Sequence, residues 1–289
     1  MKAVPLSTKI FPQYLKECIK SEGDTSDISY KTHIVGKWHL GHYDKKFWPT
    51  NRGFDSYMGI LLGNSNYSTH YSCDQYSDSK KCGYDFRVDE RPAALEEGIK
   101  DVYATDIYTS RIEKIIEDHD FDNQENPLFM YYAGQSPHAP LQVPEKYTKE
   151  FEWVTDPDRR TYYGMVKALD DSIGSIVAKL KSVGEYENTL IVFSSDNGGD
   201  YRNGGFNYPL KGKKEEMFEG GYRAPAILVG PGVPRNEKFD GLFHVTDWMP
   251  TLMNLVGCQK PDTFNSIEEV DGVDQSEALQ GNFLNFDYF

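Results

Sequence analysis

The chain has 289 residues, 38% of them hydrophobic, and sets 31 Lys and Arg against 45 Asp and Glu for a formal net charge of −14. That length sustains one large domain with a substantial core, or two small ones. The acidic balance, with no basic tract to offset it, is a poor match for nucleic acid, and no apolar run approaches membrane-spanning length.

The start, Met1–Lys9, has no apolar stretch long enough for a signal peptide. Ile10/Phe11, Tyr14/Leu15 and Cys18/Ile19 recur at a spacing of four and predict a helix over 8–20, after a Ser7-Thr8 start signal. Thr32-His33-Ile34-Val35 reads as a strand running into Gly36-Lys37-Trp38-His39-Leu40-Gly41. Residues 42–97 are rich in Tyr, Asp, Ser and Gly and show little periodicity, which predicts a long excursion. Within it, Cys73 and Cys82 are close enough in sequence to bridge, and Asn66-Tyr67-Ser68 is an N-glycosylation acceptor pattern. Both features favour an oxidising compartment. Cys18 and Cys258 complete the set of four, whose spacing fits no zinc motif; these two are expected to stay unpaired. A second helix is predicted over 100–119, a strand over Pro127–Ala133 ending in Gln135-Ser136-Pro137-His138, and a third helix over about 158–182. In that third helix Met165, Leu169, Ile173, Ile176 and Leu180 make one stripe.

Leu190-Ile191-Val192-Phe193 is a short apolar run that reads as a strand buried on both faces, as in a parallel sheet. Ser194-Ser195-Asp196-Asn197-Gly198-Gly199 follows it. Ala226–Val229 reads as another buried strand, about 247–256 as a last helix, and from 259 the pattern fades. Helices alternating with short apolar strands predict an α/β fold with a mostly parallel central sheet and helices on both faces. Neither a repeat nor a linker divides the chain.

Three predicted strands end in chemically capable residues: Lys37 and His39, then His138, then Asp196 and Asn197. A parallel sheet would put all three ends on one edge, where open α/β sheets gather ligands. A lysine holds an oxyanion, and a histidine moves protons near neutral pH. Adjacent carboxylate and amide oxygens suit a hard cation such as Ca²⁺ or Mg²⁺. Lys211-Gly212-Lys213-Lys214 is a basic cluster in an acidic protein and a candidate anion clamp. Taken singly, each of these also reads as a turn, a structural histidine or a solvated loop. Asp170-Asp171 sit side by side in a predicted helix, so they face different directions and make no paired site.

Thr32–Gly41 resembles the second signature of the type I sulfatases, within them most closely that of the arylsulfatase B (N-acetylgalactosamine-4-sulfatase) branch. Pro49–Asp55, Ser136–Pro144, Ser195–Gly199, Pro209–Lys214 and Glu219–Arg223 follow in family order. The resemblance runs from about residue 4 to about 280. It implies the alkaline-phosphatase-like α/β sandwich and hydrolysis of sulfate esters, on sulfated sugars including glycosaminoglycans or on aryl sulfates. It implies a hydrated formylglycine nucleophile with Ca²⁺ polarising the sulfate. By resemblance Asp196 and Asn197 are Ca²⁺ ligands, Lys37, His138 and Lys214 contact the sulfate ester, and His39 bonds the formylglycine. Cys73–Cys82 resembles a family disulfide, and the family's location is lysosomal or secreted.

The chain departs from the family pattern at the nucleophile. None of its cysteines is followed by x-Pro-Ser-Arg, and the adjacent aspartates that complete the family's Ca²⁺ site have no counterpart. The expectation is therefore a partial sulfatase catalytic domain over 1–289, without the nucleophile region, its N-terminal strand or the small C-terminal domain, and inactive by itself. A non-catalytic relative that binds sulfated glycans and a phosphohydrolase of the same fold stand as the other readings.

Overall fold

The structure, a computed structural model, describes residues 3–18, 28–73, 81–93, 98–258 and 270–281. Its centre is β1 (Lys31–Lys37), flanked in parallel by β2 (Ser56–Ile60) and β7 (Leu128–Ala133). The short β5 (Arg87–Val88) and β6 (Arg91–Pro92) extend the β2 side in antiparallel fashion, giving the order β6-β5-β2-β1-β7. Alternate residues of β1 point to opposite faces, and both faces are covered. Val35 packs with Ile112 and Ile116 of α2 (Ala104–Asp118) and Met165 of α3 (Pro157–Ser182). Ile34 packs on the other side with Trp38, Phe54 and Tyr57. The predicted second and third helices are therefore present, and α3 begins on an Asp156 side chain that accepts the Arg159 N–H, with Pro157 in the first turn.

Gly36 sets how closely the three parallel strands can approach. It pairs with Gly59 of β2 and Ala133 of β7, and a Cβ on it would fall 2.0 Å from the Ala133 carbonyl oxygen. Gly59 meets the Gly36 carbonyl as tightly, at 1.8 Å for its own hypothetical Cβ. The excursion after β1 is thus not all loop: β2 lies inside it as a full member of the sheet. The sequence hides β2 because glycine interrupts its apolar run at the position that must press against β1.

Two expectations about the last third of the chain are corrected. The strand after α3 is β8 (Ile191–Ser194), and it pairs antiparallel with β9 (Ala226–Val229) in a separate two-stranded sheet. Neither is buried on both faces: Phe193 is 37% exposed and Ile227 59%. A four-residue apolar run reads alike in a buried parallel sheet and in a half-covered hairpin, so periodicity could not separate them.

The cysteines supply the second correction. Cys73 and Cys82 face each other across the β3 (Tyr71–Cys73) and β4 (Cys82–Tyr84) pair and form a disulfide. Cys18 and Cys258, expected unpaired, form a disulfide too. The first helix is shorter than predicted, α1 (Phe11–Lys16), and Tyr14, Leu15 and Cys18 near its end pack against Met253 and Cys258 at the end of α5 (Trp248–Leu255). That cluster brings the two Cα atoms to 5.1 Å, inside the span a disulfide bridges. No local spacing announces a pair 240 residues apart. Two short helices complete the description, α4 (Glu219–Tyr222) and α6 (Ser276–Leu279). Residues 19–20 of the predicted first helix, and the fading stretch 259–269, lie outside the described residues.

Two buried polar groups tie loops to this frame. The Arg52 guanidinium, 2% exposed at its residue, donates to the carbonyls of Val4 and Thr8 and so clamps the first described segment. The Asp85 carboxylate accepts the N–H groups of Leu61 and Leu62 where β2 runs out. Burial pushes its pKa up, against the pull of those two bonds.

In a chain-entropy account a disulfide stabilises more the longer the loop it closes. The Cys18→Ser/Cys258→Ser double variant should lose about 4–5 kcal/mol, and Cys73→Ser/Cys82→Ser about 2–3 kcal/mol. Denaturant unfolding of both variants beside the parent checks the order, and an equal or reversed loss would contradict it.

Candidate active site

Lys37 is the last residue of β1, half-buried, and the chain keeps pairing with the β2 side past it: Trp38 N–H donates to the Ile60 carbonyl and His39 N–H to that of Leu61. His39 adopts a left-handed backbone, φ 53°, as the chain turns off the sheet edge. Its ring lies against Gly63, where a Cβ would come within 2.8 Å of Cε1 and 3.0 Å of Nε2. Gly63 is therefore the residue whose lack of a side chain makes room for His39, a role no sequence pattern suggested.

His138 follows β7 on the same edge of the parallel sheet. Its Nδ1 lies 2.7 Å from the Ala139 carbonyl, which can only accept, so Nδ1 carries the proton and donates. Nε2 is left as the ring nitrogen for chemistry. The His138 loop is fixed from behind by Tyr67, fully buried, whose hydroxyl donates between the Gln135 and His138 carbonyls, each at 2.8 Å. Gln135 is itself buried and donates to the Ser65 carbonyl at 2.7 Å. Tyr67 sits inside the acceptor pattern that singled out Asn66. The Asn66 side-chain oxygen accepts the N–H groups of Ser68 and Thr69, which holds the tight turn that presents Tyr67 to the core.

Asp196 and Asn197 follow β8 rather than a member of the main sheet. Backbone packing without side chains places them. Gly198 N–H donates to the Gly221 carbonyl, and a Cβ on Gly198 would fall 1.7 Å from the Gly220 carbonyl oxygen. Gly220 in turn presses on the Gly212 carbonyl, at 2.3 Å for a hypothetical Cβ. The Asn207 side chain accepts from Gly199 N–H and donates to the carbonyls of Gly199 and Gly212. Lys214 N–H donates to the Gly199 carbonyl. The three glycine-bearing motifs thus form one knot that delivers Asp196, Asn197 and Lys214 together.

Electrostatics join this knot to the sheet edge. The charges of Lys214 and Asp196 both act on Lys37 and on His138, and Lys37, His138 and Lys214 all act on His39. Lys37, His39, His138, Asp196 and Lys214 therefore occupy one neighbourhood, and Asn197 is chained to it beside Asp196. Burial lowers the pKa of Lys37 and of both histidines, and the neighbouring cations lower it further. Lys213, by contrast, is buried beside the Tyr201 ring and pairs with Glu216. Lys211 lies over the Phe218 ring.

A hard cation wants six or more oxygens. Asp196 and Asn197 offer one carboxylate and one amide, and the Asn197 amide nitrogen already donates to the Gly198 carbonyl. Among the described residues no three His, Cys, Asp or Glu side chains gather as a metal site. The residues present therefore do not make a complete Ca²⁺ shell, though they fit as part of one. What the arrangement does by itself is concentrate positive charge beside two histidines.

Comparison with known proteins gives three kinds of match. The sulfatase family model matches residues 26–258. Arylsulfatase J of Mus musculus is 39% identical over 278 residues, covering 96% of this chain and 43% of that protein. N-acetylgalactosamine-6-sulfatase of Rattus norvegicus is 30% identical over 294 residues, covering 99% of this chain and 51% of its own length. The chain thus spans about half the length of these curated relatives. Among solved structures, Ps i-CgsB in complex with a neocarrahexaose superposes with a TM-score of 0.81 at 31% identity, covering 97% of this chain and 59% of that one. A second, BT4656 in complex with its substrate D-glucosamine-2-N,6-O-disulfate, has a TM-score of 0.71 at 18% identity and shares the fold, covering 100% of this chain and 68% of its own.

The charge neighbourhood yields a direct test. Replacing Lys37 by Met removes a cation that depresses both His39 and His138, so the pKa of each should rise. An NMR titration of the ring nitrogens checks this; unchanged values would show that Lys37 lies too far away to matter. Gly63→Ala should disturb the His39 resonance while leaving that of His138 in place.

Proposed function

The chain belongs to the sulfatase family and has its alkaline-phosphatase-like fold, and from that premise we propose that it carries the substrate-holding part of a sulfuric ester hydrolase. One observation bears most of the weight: three separate stretches of chain, carrying Lys37 and His39, His138, and Lys214, come within charge range of one another, with Asp196 from a fourth as the carboxylate among them. A sulfate ester would sit against Lys37 and Lys214, whose charges offset its own. His138 would offer Nε2 to the sulfate or leaving oxygen, its tautomer set by the Ala139 carbonyl. His39 would hold or move a proton beside them. An arriving anion favours the charged form of both histidines, so sulfate binding takes up protons and tightens as pH falls through their pKa values.

The substrate class we propose is a sulfated sugar, glycosaminoglycan units included, with aryl sulfates as surrogates. It rests on the names of the similar proteins, one an N-acetylgalactosamine-6-sulfatase and one solved in complex with a neocarrahexaose. Within the family the signature stretches favour the arylsulfatase B branch. Asp196 and Asn197 would contribute to a Ca²⁺ site that polarises the sulfate when filled; these two residues supply only part of its shell. The two disulfides, with the acceptor pattern at Asn66, support a lysosomal or secreted location and glycosylation at Asn66.

The covalent nucleophile is a separate matter. No cysteine here stands in Cys-x-Pro-Ser-Arg, and all four are held in disulfides, so none is a thiol open to conversion into formylglycine. We therefore read these 289 residues as a partial catalytic domain unable to turn over a sulfate ester alone. The same observation favours a second reading, a relative that binds sulfated glycans without cleaving them.

A fluorogenic aryl sulfate with millimolar Ca²⁺, set beside sulfate binding followed by the His39 and His138 resonances, tests both halves. The expected result is no turnover, with sulfate binding that falls about tenfold in Lys214→Ala, the order expected for one lost charged hydrogen bond. Turnover that disappears in Lys214→Ala would contradict the inactivity. Sulfate binding indifferent to Lys214 would contradict the site.

A further inference from the structure

Asn207, the residue that ties Gly199 to Gly212, is flanked by two aromatic rings largely open to water. Phe206 is 64% exposed and Tyr208 80%, with ring centroids 6.2 Å apart and planes inclined by 25°. Because all three Asn207 bonds go to backbone on either side of the site, its neighbours are anchored at the rim of the Asp196–Lys214 knot. The line of side chains continues away from it. The Arg159 guanidinium lies 4.7 Å from the Phe206 centroid and 5.4 Å from that of Tyr163, one turn further along α3. Trp153, 72% exposed, closes the row 6.2 Å from Tyr163.

Large rings left open to water at such cost mark a binding surface, and two features of this one define its ligand. The rings are exposed in sequence along a strip, which suits a succession of flat apolar faces rather than one buried anchor. A pyranose ring offers that: its C–H face packs on an aromatic ring while its hydroxyl edge stays in water. The second feature is charge. Arg159 donates through Nε to the Tyr163 hydroxyl and makes no ion pair among the described residues. Two nearby acids are engaged: Asp156 caps α3, and Asp200 is gripped by Arg202, which holds its pKa down to about 2. In a chain of net charge −14, a cation without an acidic partner, set between aromatic rings, fits an anionic substituent on the ligand.

We propose that Phe206, Tyr208, Arg159 and Trp153 form further subsites of the sulfate pocket, taking neighbouring units of a sulfated oligosaccharide, so that the preferred ligand is a chain and not a single sulfated ring. The proposal rests on the sulfate-ester reading of the pocket itself. Phe206 and Tyr208 hold the sugar next to the reacting ring, and Arg159 holds a second sulfate or carboxylate.

Calorimetric titration with a chondroitin 4-sulfate hexasaccharide, the matching desulfated hexasaccharide and inorganic sulfate tests it. In Phe206→Ala/Tyr208→Ala, hexasaccharide binding should weaken at least tenfold while sulfate binding stays unchanged. In Arg159→Gln, the sulfated hexasaccharide should lose more affinity than the desulfated one. These side chains are exposed or lie at the surface, and matched thermal unfolding curves confirm that the variants fold. If Lys214→Ala leaves the hexasaccharide bound while Phe206→Ala/Tyr208→Ala releases it, the strip stands and the pocket reading falls. Hexasaccharide binding absent from the parent, or indifferent to the ring variants, overturns the strip. Light scattering that finds a dimer in the parent and a monomer in Phe206→Ala/Tyr208→Ala overturns it as well, because the strip would then be the interface between copies.

Discussion

The close approach of bare backbones governs this structure. At one end Gly36 is squeezed between Gly59 and Ala133, which lets β1, β2 and β7 reach the sheet edge in step. At the other, Gly198, Gly220 and Gly212 stack backbone on backbone. Side chains are excluded from both contacts, and that exclusion is what lets Lys37, His138, Asp196 and Lys214 emerge close enough to feel one another's charge. A methyl group on Gly36, Gly59, Gly198 or Gly220 would meet a carbonyl oxygen well inside van der Waals contact, with no flexible side chain to give way. The chemistry of the site is thus fixed by residues that take no part in it.

Gathering cations has an electrostatic consequence. Lys37, Lys214 and the two histidines repel one another, and Asp196 is the one carboxylate among the groups that act on Lys37 and His138. Burial first, and that repulsion second, make the histidines favour their neutral forms. That state suits a site awaiting an anion: the lysines supply fixed charge, and the imidazoles are ready to accept protons once negative charge arrives. Tyr67 and Asp85 hold this arrangement from the protein side, one through the carbonyls of Gln135 and His138, the other through the N–H groups of Leu61 and Leu62 next to His39.

Much of this was legible in the sequence. Long amphipathic patterns announced α2 and α3, and the polar residues closing each predicted strand named the groups that the structure brings together. What stayed hidden follows from the kind of information involved. β2 was lost because the glycine that lets it touch β1 also breaks its apolar run. β8 and β9 were placed in the wrong sheet because four apolar residues carry no record of their pairing partner. Cys18–Cys258 depends on a cluster between the two ends of the chain, and Gly63, Tyr67 and Asn207 serve through contacts that only the folded backbone creates. Sequence motifs named residues that the fold brings together, and were silent about the contacts that hold them there.

The central claim is that the sheet edge and the glycine knot build a single anion site. A crystal soaked in selenate, with the anion located by its anomalous scattering, tests that most directly. The account predicts a selenium peak between the Lys37 and Lys214 ammonium groups, within hydrogen-bond reach of His138 Nε2. A peak elsewhere, with Lys37 and Lys214 on separate surfaces, would contradict it.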